Sequence, residues 1–272
     1  MIFHSSNICG KSTNTLRYVI VHYHIFKNAG TSVDHILDTC FPNAFMHVDG
    51  PVPEFFINQT ELNVMVRNRD QVKAISSHHV RLPVPNDQSI TYLPVTFIRR
   101  PEIRIRSVWR FQRSRDDQHP ETLLAKSHPF KDWIQYYLKS RNGAFLTNPQ
   151  ALLYAFRYDE RTRVNNPEIR ERAFENVERV PFVGIVERFV DSLKIFEALY
   201  QENIPNFKVN DIPWLNATSD NLDPQKEMEE IEDILGRGLL ENLREHNRID
   251  IELYETCIRK FDKLKADDKG SP

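Results

Sequence analysis

Cysteine is scarce in this sequence: the three cysteines, at positions 9, 40 and 257, are widely spaced and form no C-x-x-C pair. That number and spacing argue against a disulfide framework and against a zinc site built on thiolates. The ten histidines include no H-E-x-x-H motif. The sequence therefore predicts no metal site.

Long apolar runs and a strong excess of either charge are absent as well. No stretch approaches the roughly 18 apolar residues of a membrane helix, and the N-terminus lacks a signal-peptide pattern. The formal net charge of −2 argues against a general nucleic-acid binder. We expect a protein without a membrane span. Its length suits a single domain over residues 1–265, with 266–272 as a disordered tail.

The most informative segment is a strand, a loop and a helix near the N-terminus. An apolar, β-branched run at 19–25 predicts a buried strand, and an amphipathic pattern follows the loop at 26–32. A helix start presents free N–H groups and the positive end of its dipole to an anion. Gly30 permits close approach of the backbone, and Lys27 adds a positive charge. The candidate anion-binding residues are Lys27, Asn28, Ala29, Gly30, Thr31 and Ser32.

This loop is not a Walker A motif, which reads G-x-x-x-x-G-K-[ST]. Here Lys27 precedes Gly30 by three residues instead of following it. The Gly10-Lys11-Ser12 sequence has Ser5 where the first glycine should be, and no apolar strand leads into it. A P-loop kinase is therefore the weaker enzyme alternative, and a plain Lys-Gly turn that caps a helix is the structural alternative.

A second strand, at 92–98, runs into a basic helix. Pro101 suits the first turn of that helix, and Glu102 suits its positive end. Seven arginines fall within 17 residues: Arg99, Arg100, Arg104, Arg106, Arg110, Arg113 and Arg115. Such a local cluster suits an anionic ligand. Alternatively, the arginines beyond Arg99 and Arg104 form a surface stripe paired with nearby acidic residues.

Together these two segments resemble those of the sulfotransferases that use 3′-phosphoadenosine 5′-phosphosulfate (PAPS), in particular the glycan sulfotransferases. The loop at 26–32 resembles the 5′-phosphosulfate loop, although Phe26 and Asn28 depart from its usual wording. The segment at 99–107 resembles the 3′-phosphate segment, in which Arg99 and Ser107 fall on the phosphate-binding positions. Arg100 replaces the usual Asp.

Further matches extend the resemblance from about residue 18 to 261. His79 falls on the catalytic base of the glycan enzymes, and His78 stands in place of the preceding Gly. The segment at 182–193 resembles the family's Val-Gly-x-x-Glu-Arg-Phe element. The segment at 245–254 resembles its Asn-x-x-Asp-x-x-Leu-Tyr helix.

The resemblance implies transfer of a sulfuryl group from PAPS to a hydroxyl, with a carbohydrate as the expected acceptor and no metal requirement. Lys27 would neutralise the developing charge, and His79 or His78 would remove the acceptor proton, with Asp34 next in line. The other implied contacts are Arg104 and Arg106 for the substrate, and Asn216, Thr218 and Ser219 for the 3′-phosphate. A catalytically silent relative that binds nucleotide or glycan is the third alternative.

The resemblance also bears on localisation. Golgi sulfotransferases carry an N-terminal anchor, so a chain without one is expected to be a cytoplasmic, bacterial-type member. The Golgi lumen would apply if an anchor had been removed.

Strand candidates at 18–25, 72–76, 92–98 and 181–186 alternate with helical segments. That alternation predicts an α/β fold with a mainly parallel sheet between two layers of helices, P-loop-like, with helical elaborations. Lys27, His79 and Arg99 would then share one edge, where ligands bind. The aromatic residues of 116–180 either belong to the core or line the acceptor cleft.

Overall fold

A computed structural model describes residues 16–52, 55–139, 146–155, 167–205, 207–209 and 223–269. Its centre is a five-stranded sheet in which every strand pairing is parallel, in the order β2-β3-β1-β4-β5. The strands are β1 (Arg17–Tyr23), β2 (Phe45–His47), β3 (Ala74–Ser77), β4 (Ile90–Ile98) and β5 (Phe182–Ile185). Helices pack against this sheet, so the predicted α/β fold is confirmed.

Eleven α-helices lie within the described ranges. Those up to β5 are α1 (Gly30–Cys40), α2 (Gln59–Arg67), α3 (Pro101–Ser114), α4 (Pro120–Ser127), α5 (Phe130–Lys139), α6 (Pro149–Ala155) and α7 (Pro167–Arg179). After β5 come α8 (Phe189–Tyr200), α9 (Pro224–Leu235), α10 (Arg237–His246) and α11 (Arg248–Lys269). Of the helices described, none combines the length and the apolar character needed to cross a membrane.

The central strands form because their sequences suit burial on both faces. Residues 19–23 of β1 are all buried, and so is nearly all of β4. Near-continuous β-branched and aromatic runs are typical of parallel strands covered by helices on both sides. The sequence therefore predicted these two strands to within two residues at each end.

The order of the strands creates a switch point between β1 and β4, which pair along seven residues. The chain leaves β1 through α1 toward β2 on one side of the sheet, whereas it leaves β4 toward β5 on the other side. In open parallel sheets, ligands bind where the connections diverge in this way. The loop after β1 and the start of α3 after β4 meet at this point.

Three features of the fold differ from the prediction. Strand β2 was not predicted, because three residues are too few to show an alternating pattern. The region at 225–263, where a charged, heptad-like pattern predicts a long helical region, is divided into three helices by breaks at Gly236 and Asn247. Helix α11 continues to Lys269, because Ala266 and its charged neighbours are compatible with a helix. Residues 266–269 of the predicted tail are therefore helical, and 270–272 lie outside the described residues.

The buried apolar residues form two clusters. One surrounds the sheet and includes Tyr154, and the other joins α3, α5, α9 and α10 and includes Trp133 and Tyr137. These three aromatic side chains are almost fully buried. The core interpretation is therefore correct for them.

Candidate functional site

The loop between β1 and α1 has the backbone shape of an anion cradle. Lys27 and Ala29 both adopt left-handed conformations, with φ of 65° and 61°, and α1 begins at Gly30. Such left-handed residues turn successive N–H groups toward one side, and the first N–H groups of a helix have no intrahelical partner. The predicted order of strand, loop and helix is therefore present, but the N–H groups of Asn28 and Ser32 already donate to the Ile25 and Ala29 carbonyls.

Gly30 is required because the His24 ring lies against it. A Cβ atom at position 30 would sit 2.0 Å from His24 Cδ2 and 2.1 Å from Nε2. Any residue with a side chain would collide with the imidazole. The glycine thus allows the loop to lie directly beside a histidine.

Two arginines from the second segment hold the loop from the β4 side. Arg99 Nη1 donates to the carbonyl oxygen of Lys27 at 3.1 Å. Arg104 Nε donates to the carbonyl oxygen of Phe26 at 3.0 Å. The two segments predicted to bind the two ends of one nucleotide are therefore in direct contact.

Positive charge accumulates at this contact. Burial, together with Arg99 and Arg104, lowers the pKa of Lys27 to about 8, and its Nζ lies 4.6 Å from the ring centroid of Phe111. Arg104 is only 5% exposed, and its Nη1 finds no hydrogen-bond partner among the described residues. Within the same ranges, no carboxylate lies within ion-pair distance of the three cations, although Glu187 attracts Arg99 and Asp250 attracts Arg104 at longer range. A bound anion would satisfy these groups.

Ser107 lies on the stripe of α3 that faces the loop. It is half-buried. Ser107 lies three residues after Arg104 and four before Phe111, and this spacing places all three residues on one helix face. Arg104 and Phe111 both contact the loop, the latter through Phe26 at 5.3 Å between ring centroids. The position of Ser107 is thus compatible with the predicted phosphate contact.

Arg106 faces the opposite way, toward α9. Its Nη2 donates to Glu230 at 2.6 Å, and Arg110 donates to Glu227 at 2.9 Å. The ion-paired alternative therefore describes these two arginines, although their partners are on α9 and not on the adjacent loop. The guanidinium of Arg106 is engaged within the fold, so the predicted substrate contact has no support in this geometry.

The buried amide of Gln150, at the start of α6, joins the two anion-binding segments. Its Oε1 accepts hydrogen bonds from Asn28 Nδ2 at 2.7 Å and from the Arg99 N–H at 3.0 Å. Its Nε2 donates to the Arg99 carbonyl at 2.9 Å. Asn28 also donates to the Phe97 carbonyl at 2.7 Å. Sequence reasoning missed Gln150, because no local signal relates it to residues 50 or more positions away.

The two downstream motifs, at 182–193 and 245–254, donate no cation but accept hydrogen bonds from Gln150 and from the segment after β4. Asp250 accepts hydrogen bonds from the N–H groups of Gln150 and Ala151, at 3.1 and 2.6 Å, and so fixes the start of α6. Glu187 accepts from the Arg100 N–H at 2.9 Å and from the Tyr254 hydroxyl at 3.1 Å. The motifs at 182–193 and 245–254 therefore position the segments that carry the cations.

The predicted bases, His78 and His79, follow β3 and share one carboxylate. His78 Nδ1 lies 3.0 Å from Asp49 Oδ2, and His79 Nδ1 lies 3.2 Å from Asp49 Oδ1. The Gly50 N–H donates to His79 Nδ1 at 3.0 Å. Burial favours the neutral carboxyl, but hydrogen bonds from the His78 backbone and ring lower the pKa of Asp49 to about 2.

The contacts at Nδ1 differ between the two histidines. His78 donates from Nδ1, so its Nε2 has a free lone pair; burial, followed by the charge of His24, lowers its pKa. At His79 Nδ1, the Gly50 N–H and the Asp49 carboxylate favour opposite tautomers. His78 is also the more accessible, with 33% of its side chain exposed against 10% for His79.

A second histidine–carboxylate group lies beside the loop. Asp34 accepts from His22 Nδ1 at 2.9 Å and from His24 Nδ1 at 3.0 Å. Burial alone would raise the pKa of Asp34, but the hydrogen bonds from His22 and His24 lower it. The rings of His24 and His78 stack at 3.9 Å between centroids. The expected supporting role of His22 fits this geometry, whereas the proximity of His24 to His78 was not foreseen.

The predicted contacts Asn216, Thr218 and Ser219 lie outside the described residues and stay predictions. The same holds for Gly10-Lys11-Ser12. The remaining predicted site residues converge on one edge of the sheet, except Arg106.

No family model matches the chain. A protein of Archaeoglobus fulgidus described as uncharacterized is 28% identical over 250 residues, which cover 90% of this chain and 98% of that protein. The similarity extends over nearly the full length of both chains. The description of that relative names no activity.

Proposed function

We propose that this protein transfers a sulfuryl group from PAPS to a hydroxyl group, with a carbohydrate as the acceptor class. The observation that carries the proposal is the contact between Arg99 and the Lys27 carbonyl at the switch point. It joins two segments whose sequences resemble those that bind the 5′-phosphosulfate and the 3′-phosphate of PAPS in sulfotransferases. The cluster of cations without ion-pair partners among the described residues fits a ligand with anionic groups at both ends.

When bound, PAPS supplies an activated sulfuryl group whose transfer spreads negative charge over oxygen atoms, as phosphoryl transfer does. The Lys27 ammonium and the N–H groups of Gly30 and Thr31 would stabilise that charge. The guanidinium of Arg99 and the hydroxyl of Ser107 would hold the 3′-phosphate. Arg104 and Gln150 would keep the two segments at a fixed separation.

His78 is the better placed of the two candidate bases. Its Nε2 lone pair can accept the proton of an acceptor hydroxyl, while Asp49 holds Nδ1 and stabilises the resulting positive charge. His79 would instead order Asp49 and the strand end. The resemblance alone implies that His79 is the base, whereas this proposal assigns that role to His78.

Thermal unfolding with adenosine 3′,5′-bisphosphate (PAP) and with ATP tests the proposal. We expect PAP, without Mg²⁺, to raise the melting temperature clearly more than ATP does, because a ligand that binds only the folded state stabilises it. Incubation with labelled PAPS and a panel of glycans and hydroxylated metabolites then tests transfer. Equal shifts from ATP and PAP, or a strict Mg²⁺ requirement, would favour a kinase; PAP binding without transfer would favour a silent relative.

A further inference from the structure

Three neighbouring strands each bring one histidine to the same edge of the sheet. His47 is the last residue of β2, while His24 and His78 follow the ends of β1 and β3. Because these strands are adjacent and parallel, their carboxyl ends meet. One potential ligand atom from each histidine lies within 4.8 Å of the other two.

Carboxylates orient two of these rings in the way that metal-binding histidines are commonly oriented. His24 Nδ1 contacts Asp34 at 3.0 Å, and His78 Nδ1 contacts Asp49 at 3.0 Å. A carboxylate on one ring nitrogen fixes the tautomer and leaves Nε2 as a basic ligand. The absence of a side chain at Gly30 lets the loop lie directly against the His24 ring.

His47 completes the group. Its Nε2 lies 3.8 Å from Asp34 and 3.7 Å from Asp49, too far for hydrogen bonds. Its side chain is 45% exposed, so it can rotate toward an ion at little cost. Zinc–nitrogen bonds of about 2.0–2.1 Å require the nitrogens to approach one another, so the stacked rings of His24 and His78 must open slightly.

We propose that His24, His47 and His78 bind one divalent transition-metal ion of the zinc class and leave a coordination position open. Imidazole nitrogens suit Zn²⁺, Cu²⁺, Ni²⁺ and Fe²⁺ and not Mg²⁺ or Ca²⁺. Three histidines with an open position are typical of sites where the ion contacts a small ligand. The alternative set with His22 is less suitable, because His22 is 1% exposed and its Nδ1 already contacts Asp34 and Ser76.

This site goes beyond the proposed sulfuryl transfer and does not rest on it. The Nε2 atom of His78 cannot hold a proton and a metal ion at the same time. Metal binding would therefore compete with the use of His78 as a base, and an excess of Zn²⁺ would inhibit transfer.

Equilibrium dialysis of the tag-free chain against Co²⁺ and Zn²⁺, without nucleotide, tests the site. We expect one equivalent to bind, with a visible Co²⁺ absorption band of low-coordinate geometry. His47→Gln should weaken binding at least tenfold and leave the metal-free melting temperature unchanged. His119→Gln is the matched control, an exposed histidine 3.9 Å from Glu121, and should bind like the parent.

Two results would overturn the proposal. One is the absence of saturable Co²⁺ and Zn²⁺ binding by the parent chain. The other is parental affinity in both His47→Gln and His78→Gln, which would place the ion elsewhere. Because neither measurement contains PAP or PAPS, failure here is distinguishable from failure of the sulfuryl-transfer proposal.

Discussion

The side-chain oxygen of Gln150 accepts a hydrogen bond from the Asn28 amide at 2.7 Å, across 122 positions of sequence. The same oxygen accepts from the Arg99 N–H. One buried amide therefore sets the distance between the loop after β1 and the segment after β4. Proteins that bind both ends of a ligand need such fixed separation, because misplacement of either end loses affinity.

Replacing Gln150 should weaken nucleotide binding although the residue touches no nucleotide. Gln150→Ala leaves the buried amide of Asn28 and the Arg99 N–H with fewer partners, at about 1–3 kcal/mol of stability for each unsatisfied group. We expect PAP affinity, measured by calorimetry, to fall roughly tenfold, about 1.4 kcal/mol.

Gln112→Ala is the control for this change. Gln112, on α3, is also buried, but its Nε2 contacts Glu121 at 3.3 Å instead of the loop. It should lose stability and keep parental PAP affinity. If Gln150→Ala also kept parental affinity, the amide would have no role in holding the two segments.

Arg99→Ala should weaken PAP binding by about 1.5–3 kcal/mol, because a charge-assisted contact with phosphate is lost. Ser107→Ala should weaken it less, since a neutral hydroxyl contributes less than a cation. Calorimetric titration of PAP measures both effects.

Arg106→Ala provides the comparison, since it removes the α3 guanidinium that pairs with Glu230 at 2.6 Å. It should reduce the melting temperature and leave PAP affinity unchanged. The opposite pattern, with Arg106→Ala impaired and Arg99→Ala normal, would show that the 3′-phosphate site was assigned to the wrong face of α3.

His78→Ala should keep PAP affinity and lower turnover by roughly 10²–10⁴, the usual contribution of a positioned general base. Asp49→Asn should lower turnover as well, because it removes the carboxylate that holds His78 Nδ1. His79→Ala should have the smaller effect. Steady-state assays with a chelator present separate this role from any metal effect. An inactive His79→Ala beside an active His78→Ala would return the base to His79.

Binding of PAP should weaken as pH rises through about 8. Burial, together with Arg99 and Arg104, lowers the pKa of Lys27 to about 8. Below this pH the ammonium is charged and attracts phosphate; above it, the free protein must take up a proton in order to bind. Titrations from pH 6.5 to 9.5 should show affinity falling about tenfold per pH unit above 8. Lys27→Met should bind weakly and lose this dependence, whereas Lys208→Met, beside Cys40 at the opposite end of α1 from the loop, should retain it.

The sequence determined the local units of the site. The run before Phe26, the Lys27–Gly30 spacing and the Arg99–Pro101 segment each predict a strand, a loop or a helix start, because backbone preferences and burial patterns act over neighbouring residues. Parallel strands then require that the loop after β1 and the segment after β4 share one edge. The sequence could therefore predict that Lys27, His79 and Arg99 lie together.

Only the tertiary structure decided which side chains complete the site. Gln150 and Asp49 reach their partners through contacts that have no local signature, and the short β2 places His47 beside two histidines from other strands. Arg106 and Ser107 are adjacent in sequence, yet one faces α9 and the other faces the loop. Side-chain orientation on α3 depends on which neighbour each face packs against, and that choice is made when the whole chain buries its apolar surface.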